Sequence, residues 1–142
     1  MIILDGKKTS DQIKLEIRDE VNKMKLKGER VPHLAAILVG NDGASLTYVG
    51  SKIRSCEYVG FKSSLIRLDN DISEKKLLDE IKKLNDNPVL DGYIVQLPLP
   101  KHINEQTILL AIDPKKDIDG FHPENFGRMA LQLNSYIPAT PF

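Results

Sequence analysis

A single cysteine, Cys56, stands in the 142-residue chain. One thiol excludes an intramolecular disulfide framework and a four-cysteine zinc site. Charge of one sign is lacking as well, since Lys and Arg total 20 and Asp and Glu total 20. A neutral chain carries no global basic footprint for nucleic acid, and no charge run is long enough to be a tail. No apolar run approaches the ~20 residues of a membrane span. Met1-Ile2-Ile3-Leu4 meets the polar Asp5-Gly6 turn at once, too early for a secretory leader. Internal repeats, low-complexity segments and linkers are missing too. What remains is a soluble, cytoplasmic α/β domain long enough to bury about two-thirds of its unfolded surface.

The apolar residues present are ordered in alternating periods. Thr9 and Ser10 are expected to cap a first helix, with Gln12 at capping-box spacing, Ile13, Ile17, Val21 and Met24 as its stripe, and Gly28 as its stop. His33–Val39 is a continuous apolar run, the signature of a strand covered on both faces. A Gly40–Gly43 turn precedes a helix over Ser45–Val59 with Leu46, Val49, Ile53 and Cys56 as its stripe, ended by Gly60. Phe61–Leu68 reads as a second strand. Ser73 caps a helix carrying Leu77, Ile81 and Leu84, and Tyr93–Leu97 reads as a third strand stopped by Pro98 and Pro100. Short helices are expected over 104–111 and 124–131, separated by a charged loop over 113–123. The β–α–β–α–β–α order predicts an α/β fold, a three-layer αβα domain with a mostly parallel sheet. Ligands in such sheets bind beyond the carboxyl ends of strands, which marks the turn after Val39, the stretch after Val95 and the loop around Asp119.

Three constellations could carry chemistry. In Tyr48-Val49-Gly50-Ser51-Lys52, the tyrosine and lysine lie one helical turn apart, with Ser45 on the same arc. Lys52 is expected to leave the helix at the edge of the core, partly desolvated, where a lysine can exchange protons near neutral pH. A solvated helix edge has the same spacing. The short-chain dehydrogenase reading of YxxxK fails, because Gly40-Asn41-Asp42-Gly43 is not a glycine-rich dinucleotide loop. In the second constellation, Gln96 ends a buried strand before two prolines, with an amide that both donates and accepts. In the third, Lys115–Pro123, the residues Asp117, Asp119 and His122 lack an established metal-ligand spacing. A carboxylate there either accepts from a ligand's amino group or caps the following segment. His33 and His102 have no partner pattern, and Cys56 reads as core with no adjacent base.

Taken together, YVGSK at 48–52, VQLPLP at 95–100 and DIDGFHP at 117–123 resemble the bifunctional methylenetetrahydrofolate dehydrogenase/methenyltetrahydrofolate cyclohydrolase family in order and spacing. The resemblance extends from Leu4-Asp5-Gly6 to Pro138–Pro141. It implies an amino-terminal folate-binding domain whose active site lies in a cleft against an NADP-binding Rossmann domain. It implies catalytic roles for Lys52, Gln96, Tyr48 and Asp119. Tyr48 would lie along the folate's aromatic system, Gln96 would hydrogen-bond Lys52, and Asp119 would pair with the pterin's amino and ring nitrogens. Val49, Gly50, Ser51, Val95 and Leu97 would complete the substrate pocket, with Ser45 as a helper hydroxyl. The implied chemistry is hydride transfer from methylenetetrahydrofolate to NADP, then hydrolysis of the methenyl cation to formyltetrahydrofolate.

Two features depart from the family pattern. Ala139 stands where a cysteine is usual in the Pro-x-Thr-Pro segment. Thr140-Pro141 announces a helix, yet Phe142 is the last residue. The expectation is a folate-binding domain over 1–137, the start of a connection over 138–142, and a Rossmann domain lying outside this chain. Tetrahydrofolates, that domain and a second copy in a homodimer are the expected partners, without nucleic acid, membrane or metal. A non-catalytic folate-binding or regulatory domain is the alternative, and a generic α/β interaction domain the third.

Overall fold

His33–Val39 forms β1, the central strand of a parallel sheet in the computed structural model, which describes residues 5–138. β2 (Lys62–Leu68) and β3 (Gly92–Val95) pair with β1 on either side, giving the order β2-β1-β3. Both edges and both faces of β1 are covered, and Ala35 through Val39 are all buried. That double burial is why the run contains no polar alternation.

Successive side chains point to opposite faces. Ala35, Ile37 and Val39 join Tyr93 and Val95 on one face, packed by Leu77 and Ile81 of α3 (Glu74–Asn85) and Ile108 of α4 (Glu105–Ala111). Ala36, Leu38 and Ile94 face Val49 of α2 (Gly43–Val59) on the other. Each buried Leu, Ile or Val contributes about 1.5–3 kcal/mol by leaving water. α1 (Gly6–Leu26) packs on α2, and α5 (Pro123–Ala130) closes the described chain. The expected three-layer α/β arrangement is therefore what forms.

Boundaries differ by two residues or more at three points. α1 begins before Thr9, because the Asp5 carboxylate accepts the Lys8 N–H at 2.9 Å. The Thr9 hydroxyl instead donates back to the Asp5 carbonyl, and Gln12 bonds Glu16. α2 likewise starts before Ser45, capped by Asp42. β3 ends at Val95 rather than Leu97: the Gln96 N–H still reaches Ile37 O at 2.9 Å, but Pro98 has no N–H with which to continue the ladder. Ala139 and Thr140-Pro141 lie outside the described residues.

The segment after α4 is stitched along β3. Tyr93 N–H donates to Lys116 O at 2.9 Å, and Asp117 bridges Tyr93 in parallel fashion. The Lys116 ammonium donates to Leu84 O, Asn85 O and Asn87 O at 2.8, 2.8 and 2.6 Å. These carbonyls lie at and just beyond the α3 C-terminus, where a cation suits the helix dipole. Gly92 allows this approach, since a Cβ there would strike Ile118 Cγ2.

On the far side of β1, Arg30 grips Asp91 with two hydrogen bonds of 2.7 Å, and His33 N–H donates to the same carboxylate at 2.7 Å. The Arg30 hydrogen bond chiefly holds the Asp91 carboxyl down to about 2. A depressed carboxylate stabilises the fold above its unfolded value of 3.8 and loses that contribution as pH falls through about 2. Solvent screening at this exposed pair limits it to on the order of 1 kcal/mol. Urea midpoints of the native chain and Asp91→Asn should therefore differ at pH 7 and converge below about pH 2.

Candidate active site

α2 supplies the first wall of the site. Its cap, Asp42, accepts the Ser45 N–H at 2.8 Å, and Gly60 (φ +87°) ends it in the left-handed region that favours glycine. Ser45 is buried, and its hydroxyl donates to Leu97 O at 3.5 Å, tying α2 to the segment after β3. Tyr48 stands one turn on with 65% of its surface exposed. Its ring is thus free to lie against a planar ligand.

Ser51 and Lys52 line a cavity of about 300 Å³ between α2 and the sheet. Ala35, Ala36, Ser63 and Ser64 leave it open by being small, and Ile53, Cys56, Ile94 and Ile118 make it largely apolar. Asp119 forms its far wall. Lys52 Nζ stands 3.6 Å from Asp119 Oδ1, with the two side chains 46% and 30% exposed. Burial pushes the Asp119 carboxyl above its ordinary value, Lys52 opposes the rise, and the nearby Asp117 charge adds to it. Lys52, expected to be partly desolvated, is instead half exposed and faces a carboxylate.

Gln96 is placed differently from expectation. Its Nε2 donates to Leu97 O at 2.8 Å, and its Oε1 is buried with no partner. The structure therefore joins Lys52 to Asp119 rather than to Gln96. An exposed ammonium gains more from a carboxylate than from a neutral amide. A buried acceptor without a donor costs about 1–3 kcal/mol. Gln96→Met is expected to raise the urea midpoint while weakening whatever ligand the oxygen serves; a lowered midpoint would show that the oxygen is already satisfied.

Other expected pocket residues have different places. Val49 is 1% exposed and belongs to the core under α2. Val95 and Leu97 pack on the opposite, α3-side face. These three therefore set backbone position rather than present side chains to the cavity. Gly50 is not among the cavity's lining residues; two positions before Lys52 it lies round the helix, with Arg54 Nη1 3.3 Å from where its Cβ would stand. Cys56, read as core, is a cavity wall whose thiol is pushed up by burial; its position one turn after Lys52 was the available signal. Ile118 was missed because only the bridge between Tyr93 and Asp117 brings it over the sheet. His33 Nε2 meets Ser64 Oγ at 2.8 Å and His102 Nε2 meets Ile72 O at 2.9 Å, both structural contacts. Among the described residues no group of His, Cys, Asp and Glu could hold a metal ion.

Residues 4–119 match the model of the tetrahydrofolate dehydrogenase/cyclohydrolase catalytic domain. The chain belongs to this family. The matched span includes Tyr48, Lys52, Gln96 and Asp119. A Flavobacterium johnsoniae relative, bifunctional protein FolD, is 67% identical over all 142 residues, which make up 48% of its own length. The solved structure of a bifunctional FolD methylenetetrahydrofolate dehydrogenase/cyclohydrolase from Campylobacter jejuni superposes with a TM-score of 0.92 at 44% identity, over 97% of this chain and 49% of that one. A Trypanosoma brucei methylenetetrahydrofolate dehydrogenase-cyclohydrolase, complexed with NADP and an inhibitor, gives a TM-score of 0.90 at 30% identity, over 96% of this chain and 47% of that one. The chain thus spans about half the length of the family members it matches.

Proposed function

We propose that this chain is the folate-binding part of an enzyme that oxidises 5,10-methylenetetrahydrofolate with NADP and hydrolyses the methenyl product to 10-formyltetrahydrofolate. The observation that carries this is the Lys52–Asp119 pair, 3.6 Å apart at the wall of an apolar cavity. A partly buried carboxylate is a strong acceptor for the amino and ring N–H groups of a pterin. The exposed Tyr48 ring supplies a stacking surface, and the unpartnered Gln96 Oε1 accepts a donor from the bound substrate or from Lys52. For hydrolysis, Lys52 assists deprotonation of the water that attacks the cationic carbon.

NADP supplies the hydride acceptor when bound. The Gly40–Gly43 turn, the glycine turn that follows β1, does not fit it. In the Gly40–Gly43 turn the Asp42 carboxylate already accepts the Ser45 N–H, placing a negative group where a pyrophosphate would need free amides. We assign NADP binding to the part of the family's length outside this chain. Residues 1–137 are accordingly the folate-binding unit, and 138–142 start the connection. We place the protein in the cytoplasm, where the unpaired thiol of Cys56 stays reduced, and as a homodimer in its complete form. No helix among the described residues is long and apolar enough to cross a membrane.

Calorimetric titration of the 142-residue chain is the test. Saturable tetrahydrofolate binding is expected, weakened at least ~10-fold by Asp119→Ala through loss of charge-assisted bonds. NADP should give no saturable heat and no dehydrogenase turnover. Tight NADP binding, or folate affinity indifferent to Asp119, would overturn the assignment.

A further inference from the structure

We propose that Asp117 is a positioning residue for Asp119: its buried carboxylate, held by Asn125 and the His122 backbone, fixes where Asp119 stands against Lys52. Asp117 is 2% exposed. Its Oδ2 accepts from His122 N–H at 2.8 Å and from Asn125 Nδ2 at 3.0 Å. Asn125, itself 5% exposed, also donates to Pro114 O at 2.8 Å. Buried ionised carboxylates persist where donors compensate them, and both donors here come from the start of α5. The clamp closes the loop around Asp119, with Gly120 N–H donating to Asp117 O at 3.2 Å. Behind it, the bridge to Tyr93 anchors Asp117 to the sheet. Gly120 takes φ +70°, and a Cβ there would lie 2.8 Å from Tyr136 O, so the loop's turn is tightly enclosed.

The charged groups facing Asp119 are Lys52 from α2 and Asp117 from its own loop. Asp117 therefore acts on Asp119 in two ways, through the loop's path and through its like charge. A carboxylate that merely capped α5 would do neither. The consequence for binding rests on the folate reading; the consequence for Asp119 itself does not.

Carboxyl-carbon NMR titration of Asp119 in the 142-residue chain separates these cases. In Asp117→Asn, which keeps shape and loses charge, the Asp119 midpoint should fall. Lys52→Ala should raise that midpoint in the native background and do so less in Asn125→Ser, where the clamp is loosened. Asn125→Ser also carries the test if Asp117→Asn does not fold. Tetrahydrofolate affinity should weaken ~10-fold in Asn125→Ser, where Asp119 loses its fixed position. An Asp119 midpoint and a Lys52 response unchanged in both variants would overturn the proposal, even with folate bound normally. Shifted midpoints in a chain that binds no tetrahydrofolate would uphold the positioning role and sink the folate reading.

Discussion

Lys52→Ala is expected to lower methenyltetrahydrofolate hydrolysis by ~10²–10⁴-fold in a protein carrying both halves of the family's length, the usual contribution of a positioned general base. Lys52 stands on the cavity wall 3.6 Å from Asp119, and among the described residues no other lysine or arginine lines that cavity. The variant should still fold, because Lys52 is half exposed and its removal opens no core cavity. Folate affinity should change far less than turnover, since Asp119 and Tyr48 remain. Steady-state hydrolysis of the methenyl substrate checks this, and unchanged turnover would remove the lysine from catalysis.

The second large effect lies in the backbone. Gly92→Ala places a methyl group against Ile118 Cγ2, with Lys116 O 3.2 Å away. Both belong to the segment stitched along β3, which the Tyr93–Lys116 hydrogen bond draws close. Overpacking of this kind costs about 1–3 kcal/mol. Relief requires moving Ile118, whose neighbour in sequence is Asp119. The melting temperature should fall by several degrees and tetrahydrofolate affinity should weaken together. A variant that melts as the native chain does, with full affinity, would show that this approach is not as close as described.

The regular elements were legible because their causes are local. Ala35–Val39 announced a strand covered on both faces, and Leu77, Ile81 and Leu84 announced a helix lying on it. The α1 start was missed because Thr9 and Ser10 are good caps, yet Asp5 stands further upstream and takes the Lys8 amide first. The site was legible only in part. Tyr48 and Lys52 share an arc that helical periodicity reveals. The pairing of Lys52 with Asp119, and the separation of Asp117 from Asp119, depend on the bridge between Tyr93 and Asp117. Such long-range pairing has no signature in the local pattern of DIDGFHP, so Asp119 was singled out by the family resemblance and no role was read for Asp117. Gln96 was assigned to Lys52, but the chain's turn after Val95 directs its amide to Leu97 O.

Mapping tetrahydrofolate onto the chain by backbone and side-chain NMR shifts tests the central claim most directly. Perturbations should concentrate at Tyr48, Lys52, Gln96 and Asp119, and fade across the Arg30–Asp91 side of the sheet. Saturable shifts confined to another surface, such as Lys115, Glu124 and Arg128, with Lys52 and Asp119 unmoved, would contradict it.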